Sequence, residues 1–357
     1  MFTKGIARLA AVQAAPVWLD RDATVDKACS LIREAGDAGA DLIGFPENFI
    51  PGHPSWYHYH LATSERSMSL AVRLFRESVE IPGPATDALC RAARQAGINV
   101  VMGLTERRPG SLGTMFNSQL FISAAGEIVG KHQKLVPTIG ERLVHTDGGP
   151  ETQRTFPSEL GQVSALVGGE NSNPLAISMI AATYPTVHVA SWPNHFNPAF
   201  DMRETSILVS RNIAYMCKCF VISSCGVNSE DMIADLAASE ADEAFLRDPS
   251  ASGGTCIISP AARVIAGPMP GGEEGILYAD ADFDAVIRGR MVHDVAGHYN
   301  RSGVYQLLVN NEPSELITMS QPESQPDSPE PQDSGGAFDP NPRLATVTAL
   351  SADGEQR

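Results

Sequence analysis

A carboxylate, an ammonium and a corner without a side chain stand at three candidate strand ends of this chain. Glu47 closes Leu42-Ile43-Gly44-Phe45-Pro46, Lys134 lies in Lys131-His132-Gln133-Lys134-Leu135-Val136-Pro137-Thr138, and Gly168 follows Val163-Ser164-Ala165-Leu166-Val167. In α/β sheets ligands collect at the carboxyl ends of strands. Taken singly each residue is a weak signal, because a strand-end Glu is usually just solvated and a Lys in a basic loop is usually a surface charge. Gly168 has an apolar strand in front and a Pro-started helix behind, Asn171-Ser172-Asn173-Pro174. That is the shape in which a strand-to-helix turn presents a nucleophile, and glycine has none to present. A turn that needs glycine at 168 for its backbone freedom is a poor reading, since Gly169 beside it already offers that freedom.

Aromatic segments flank these positions. Pro54-Ser55-Trp56-Tyr57-His58-Tyr59-His60 follows the Glu47 loop, so Trp56 and Tyr57 are expected to line or lid an entrance. Trp192, Pro193, Asn194 and His195 follow another strand and are expected to form the opposite wall, with Glu170 and Asn171 beside the corner completing the substrate-binding set. Such a pocket, apolar with few polar groups, suits a neutral organic molecule. His58 and His60 have the look of a metal pair, but no third ligand accompanies them, and a pocket or interface role is favoured.

The elements that must position these residues alternate. Strands are expected at Ile6–Val12, Leu42–Phe45, Asn99–Leu104, Ser118–Ser123, Glu127–Lys131, Gln162–Val167, Val187–Trp192, Phe220–Ser224, Thr255–Ser259 and Gly275–Asp280. Helices are expected at Thr24–Ala35, Pro84–Ala96, Leu175–Ala182 and Met202–Cys217, with Pro174 at a first-turn position and Asn173 as its cap. The turn Ala124-Ala125-Gly126 joins two strands as a hairpin. Alternation with several antiparallel pairs implies an α/β fold, helices outside and sheets inside. From residue 311 the composition turns to Pro, Ser and acidic residues, which cannot bury enough apolar surface to offset ordering, so a folded domain 1–310 and a disordered tail 311–357 are expected.

Composition narrows the function classes. The 357 residues carry a formal charge of −16, which argues against nucleic acid and anionic membrane as partners. The chain has no apolar run long enough to span a bilayer, and Met1-Phe2-Thr3-Lys4-Gly5 leads straight into a strand without the apolar stretch of a signal peptide. The six cysteines (Cys29, Cys90, Cys217, Cys219, Cys225, Cys256) follow no framework spacing and read as free thiols of a reducing compartment, so a cytoplasmic location is expected. Cys217-Lys218-Cys219 lacks the second pair a metal site would need, and neither Cys225 nor Cys256 is taken as a displaced nucleophile.

Several of these segments together, in order over residues 6 to 305, resemble the nitrilase branch of the carbon–nitrogen hydrolase superfamily. Phe45-Pro46-Glu47 is similar to the segment bearing that family's general base, and His132-Gln133-Lys134-Leu135-Val136-Pro137-Thr138 to the one bearing its lysine. Glu141 in Gly140-Glu141-Arg142 matches its supporting glutamate, and Gly168-Gly169-Glu170-Asn171 the segment that begins with its nucleophilic cysteine. Ala190-Ser191-Trp192-Pro193 and Gly297-His298-Tyr299 add to the likeness, the latter being typical of nitrilases rather than amidases. The resemblance implies a four-layer α-β-β-α sandwich, no cofactor or metal, and a homo-oligomer built on dimers, sometimes spiral. It implies conversion of an organic nitrile to carboxylate and ammonia, and the aromatic segments around the site favour an arylaliphatic or aromatic nitrile over a small aliphatic one. Glu47 would be the base, Lys134 the stabiliser of developing negative charge and Glu141 its orienter. With Gly168 in the nucleophile's place, the chain as written is expected to be impaired. A non-catalytic binding or regulatory subunit and an amidase-type relative are the alternatives.

Overall fold

The computed structural model describes residues Phe2–Glu312, so the expected tail lies outside the described residues from position 313 onward. The first half of the chain runs β1 (Ile6–Gln13), α1 (Arg21–Asp37), β2 (Leu42–Gly44), α2 (Glu65–Glu77), α3 (Pro84–Ala96), β3 (Asn99–Arg107), β4 (Met115–Ile122) and β5 (Ile128–Gln133). The second half runs β6 (Phe156–Ser158), β7 (Gly161–Val167), α4 (Pro174–Ala181), β8 (Pro185–Trp192), α5 (Met202–Cys217) and β9 (Phe220–Cys225). It continues with α6 (Glu230–Leu236), α7 (Glu240–Leu246), β10 (Cys256–Ile258), β11 (Val264–Ala266), β12 (Gly275–Asp282) and α8 (Asp284–Val292).

Local sequence sets the helix ends. Asp20 accepts from Ala23 N (2.9 Å) to start α1, and Asp201 accepts from Glu204 N (2.9 Å) to start α5. Pro84 opens α3, whose missing N–H costs nothing in the first turn, and Gly97 at φ 65° closes it. Val25, Ala28, Cys29, Ile32 and Ala35 give α1 one buried stripe. α4 starts as expected, with Asn173 accepting from Leu175 N (2.9 Å) and Pro174 in the first turn.

Two six-stranded sheets form, in the orders β12-β1-β2-β3-β4-β5 and β11-β10-β9-β8-β7-β6. Each has three parallel strands at its heart, β1-β2-β3 and β7-β8-β9, with antiparallel strands outside. Leu9, Leu42, Val101 and Phe121 of the first sheet share a buried cluster with Val163, Val187, Val189 and Ile222 of the second. The outer face of the first sheet packs on α1 and α3, and that of the second on α4 and α5. The layers are therefore helix, sheet, sheet, helix, the α-β-β-α sandwich. The sheets approach closely at Gly44, where an added Cβ would stand 2.8 Å from both Ile222 Cγ2 and Val189 Cγ1.

Polar bonds also cross this interface. Ser224 Oγ donates to Gly44 O, Ser191 Oγ donates to Phe45 O (both 2.8 Å), and Gln119 Nε2 donates to Ser191 Oγ (2.7 Å). The carboxyl ends of β2, β7 and β8 consequently emerge at one edge of the sandwich.

Candidate active site

Glu47 sits three residues beyond β2 on a loop fastened to both sheets. Phe45 N donates to Val101 O of β3 (3.0 Å), and Glu47 N donates to Trp192 O at the end of β8 (3.1 Å). Lys134 follows β5 directly, its backbone N bonded to Asn117 O of β4 (2.8 Å) and its O to Gly148 N (2.9 Å). Glu141 lies in a 3₁₀ turn, Ile139–Leu143, where its Oε2 accepts from Thr138 N (2.9 Å). The three side chains are almost completely buried.

They converge. Lys134 Nζ donates to Glu47 Oε1 (2.9 Å) and to Glu141 Oε2 (2.6 Å). Asn117 Nδ2 reaches the same two carboxylates, Glu47 Oε1 at 2.7 Å and Glu141 Oε1 at 2.6 Å. His145, one helical turn beyond Glu141, places Nδ1 3.1 Å from Glu141 Oε1 and Nε2 3.3 Å from Thr105 Oγ1. His53 brings Nε2 to 3.8 Å from Glu47 Oε1, while its Nδ1 is 3.0 Å from Ser55 Oγ. Glu47, His53 and Glu141 are close enough to share one cation, and the Lys134 ammonium already occupies the space between the carboxylates.

Two carboxylates and one ammonium out of water cannot all be equally content. Burial pushes the Glu47 carboxyl up to about 7, Lys134 pulls it down, and the neighbouring Glu141 charge pushes it up again. Glu141 goes the other way: burial opposes its charge, but Lys134 and His145 overcome this and hold it well below the usual carboxylate range. Lys134 likewise suffers from burial, yet Glu47 and Glu141 raise it above an ordinary lysine. Burial holds His53 down at about 3, so its imidazole is neutral. The site thus contains a fixed cation, a fixed anion and one carboxyl poised near neutrality.

Gly168 is the first residue of a 3₁₀ turn, Gly168–Ser172, that separates β7 from α4. Its φ is +49°, whereas Gly169 has no positive φ. The expectation that Gly169 supplies the corner's freedom is therefore corrected: the left-handed residue is Gly168 itself. A Cβ at 168 would run into Glu47 Oε2, the one carboxylate oxygen of the cluster that is buried without a hydrogen-bond partner. The glycine and the poised carboxyl face each other.

The corner is braced from beneath. Asn171 Nδ2 donates to Leu166 O and Gly168 O (both 3.0 Å), its Oδ1 is 3.0 Å from His188 Nε2, and His188 Nδ1 is 2.8 Å from Ser164 Oγ. Glu170 accepts from Val167 N (3.2 Å) and Leu135 N (2.7 Å) and lies 2.9 Å from His132 Nε2, tying the corner to the Lys134 loop. The Asn171 and Glu170 side chains are committed to this bracing, not turned toward a ligand as expected.

The expected aromatic walls are also redistributed. Trp56 is wholly buried against Trp18, ring centroids 6.3 Å apart, because its loop folds under α2 and α6. Tyr57 is half-buried and packs on Gly140, next to Glu141. Trp192 turns its indole into the cluster beneath α5, with Nε1 3.3 Å from Ser210 Oγ, and contributes its carbonyl to Glu47 N. Pro193 is buried at the end of β8, and His195 contacts Phe245, with Nε2 3.2 Å from its carbonyl. His58 and His60 diverge, the first stacked on Phe196 and the second 3.1 Å from Asp235 O.

Two cavities adjoin the site. One of about 10 Å³ is lined by Glu47, Asn48, His53 and Asn194, and a groove of about 410 Å³ runs past Gly169 between Val136, Pro137, Ile139, Arg142 and Ala176. The six cysteines are unpaired, and burial pushes Cys225 up to about 11 and Cys256 up to about 12, so neither supplies a thiolate at neutral pH. Among the described residues no helix is long and apolar enough to cross a membrane.

Sequence reasoning missed Asn117, His53 and His145. Asn117 is one polar residue within a strand, and only the three-dimensional register shows that it bridges two carboxylates. His145 had a local signal, its spacing of four from Glu141.

Known proteins share this arrangement of chain. The family profile described as carbon–nitrogen hydrolase matches residues 8–291. A protein named Nitrilase 2, from an unknown prokaryotic organism, is 37% identical over 308 residues, covering 86% of this chain and 93% of its own length. A nitrilase of Pseudomonas syringae pv. syringae (strain B728a) is 36% identical, covering 87% of this chain and 91% of its own. The crystal structure of the C. elegans NitFhit protein shares the fold with a TM-score of 0.65 at 17% identity, covering 88% of this chain and 70% of that one. With its profile matched across both sheets and nitrilases related over most of its length, this chain belongs to the carbon–nitrogen hydrolase family.

Proposed function

We propose that this chain is a nitrilase scaffold whose chemistry is nitrile plus water to carboxylate plus ammonia, and that Gly168 stands where the nucleophilic sulfur belongs. The observation that carries this is the unpartnered, buried Glu47 Oε2 facing the side-chain-free corner. With a cysteine at 168, that oxygen takes the thiol proton as sulfur adds to the nitrile carbon, and Lys134 stabilises the charge developing on nitrogen. Glu47 then activates the water that hydrolyses the thioimidate, ammonia leaves, and a second water releases the acid. Glu141 and Asn117 hold Lys134 and Glu47 in register throughout. Without the sulfur the covalent route is closed, which removes on the order of 10⁴-fold or more of the rate if loss of other nucleophiles is a guide.

The groove beside Gly169 would take the organic group, where Val136, Pro137, Ile139 and Ala176 offer apolar contact to an arylaliphatic or aromatic nitrile among polar neighbours such as Arg142 and Gln153. Assembly into dimers and longer homo-oligomers belongs to the same proposal, on the strength of the resemblance. The decisive experiment is Gly168→Cys, assayed for ammonia across nitriles and amides. Release from nitriles by the variant and not by the parent is the expected result. A folded Gly168→Cys protein silent on every nitrile and amide would overturn the reading in favour of a binding subunit.

A further inference from the structure

We propose that the chain carries a second small-molecule site, for an aromatic monocarboxylate, at the end of the sandwich away from Gly168. A cavity of about 420 Å³ lies where β7 and β8 begin, beside Gly161 and Thr186, and is lined further by Phe2, Tyr184, Val286, Ile287, Met291 and Arg290. Its volume is that of sites that enclose a small organic molecule. β7 has seven residues, so about 20 Å separates its first residue from the corner at its far end. This cavity and the groove beside Gly169 share no lining residue.

The lining chemistry selects the ligand. Phe2 and Tyr184 bring aromatic rings, and Val286, Ile287 and Met291 bring apolar contact, which together suit a flat apolar body. Arg290 is the one charged residue of the lining, half-buried, its guanidinium 5.1 Å from the Tyr184 ring centroid. Arg290 Nη2 donates to Pro185 O (2.5 Å) and Cys217 O (3.3 Å), which fixes the group, while Nε and Nη1 have no acceptor among the described residues. No carboxylate of the described residues comes within 4.0 Å of it. Asp282 and Asp284, which bracket the start of α8, pair with Arg288 instead (3.0 and 3.8 Å). Asp294 commits Oδ1 to Ala296 N and Gly297 N (both 3.1 Å). Burial pushes the guanidinium below an ordinary arginine, a cost that an anion beside it would relieve. A fixed, half-buried guanidinium without an acid, in a chain of net charge −16, fits a carboxylate, whose geometry its planar fork matches. An aryl or arylalkyl monocarboxylate meets both demands. It is also the class of acid the proposed reaction releases, although the site stands on its own geometry.

The test labels the methionine methyl groups of the full chain with ¹³C, assigns Met291 through Met291→Leu, and titrates phenylacetate by NMR. Met291 lines this cavity and not the groove beside Gly169, so acid bound at the groove leaves its signal in place. A saturable shift of the Met291 signal is expected, and neutral phenylacetamide should need at least about tenfold more ligand for half-saturation. Arg290→Gln should raise the phenylacetate half-saturation point by a similar factor. So should Ile287→Glu, which sets a negative charge in the lining at a 48% exposed position and leaves the Arg290 bonds intact; circular dichroism establishes that both variants are folded. Absence of a saturable Met291 shift overturns the site. Equal response to phenylacetate and phenylacetamide overturns the carboxylate assignment, and undiminished phenylacetate binding by folded Ile287→Glu overturns its placement beside Arg290. Each of these outcomes leaves the nitrilase reading to be decided separately by Gly168→Cys.

Discussion

Glu47 shapes the pH behaviour, because of the two carboxyls and the lysine it is the one brought near neutrality. A carboxyl raised to about 7 is protonated below that pH and cannot accept a proton. Ammonia release by Gly168→Cys should therefore rise about tenfold per pH unit on the acid side and level off above an apparent pKa near 7, a limb that a pH–rate profile of kcat/KM reads directly. Glu141, held low, and Lys134, held high, add no second limb in this range. The same substitution has a structural cost: a non-glycine residue at φ +49° stores about 1–3 kcal/mol of strain, and Glu47 must swing aside. The active variant should thus be the less stable one, with a lower urea midpoint than the parent. At this scale the sequence was legible where chemistry demands a residue type: Glu47, Lys134 and Glu141 were all singled out, and the structure brings them together. It was illegible where a residue's work is set by register, as with Asn117, or where a side chain could face either way, as with Trp56 and Trp192.

The strand-to-helix corner is an element whose shape is maintained from below. Asn171 holds two carbonyls and is itself held through His188 by Ser164, all of them buried. Asn171→Ala removes its bonds to Leu166 O, Gly168 O and His188 Nε2, at a cost of about 1–3 kcal/mol that chemical denaturation would measure. Placed in the Gly168→Cys background, it should lower kcat more than it raises KM, since the corner moves and the groove does not. Elements with strong local signals were readable: Pro84 to Ala96 and Met202 to Cys217 appear with the boundaries expected of them. Those that escaped were of two kinds. α6 and α7 have seven residues each, and β6 and β11 three, too short for a period to declare itself. α2 is longer but exposes Met68 and Val72 opposite its buried Leu70 and Leu74, which blurs its apolar face.

Across the whole molecule the two sheets are held at a spacing that the site inherits. Gly44 admits no Cβ between Ile222 and Val189, and bonds from Ser191 and Ser224 cross the gap beside it. Gly44→Ala overpacks this contact and should destabilise by about 1–3 kcal/mol in thermal or denaturant unfolding. It should also depress the turnover of Gly168→Cys, because Glu47 is three residues away on the same strand end. The α/β layering was foreseeable from alternating elements and the four-layer stacking of two sheets from the resemblance, but which residues meet between the sheets was not, since nothing in the spacing of strands says which side chains interlock.

The division of labour between the layers has a consequence for biogenesis. Every charged member of the site, Glu47, Lys134 and Glu141, comes from the half of the chain that builds strands β1 to β5 of the first sheet, whereas the corner at Gly168 follows β7 of the second. The bond from Glu47 N to Trp192 O is made only when the halves dock. A thiol placed at 168 would accordingly be an ordinary, unactivated sulfur until the two halves dock and bring Glu47 to it. Reactivity in this architecture is a safety catch released by completion of the fold.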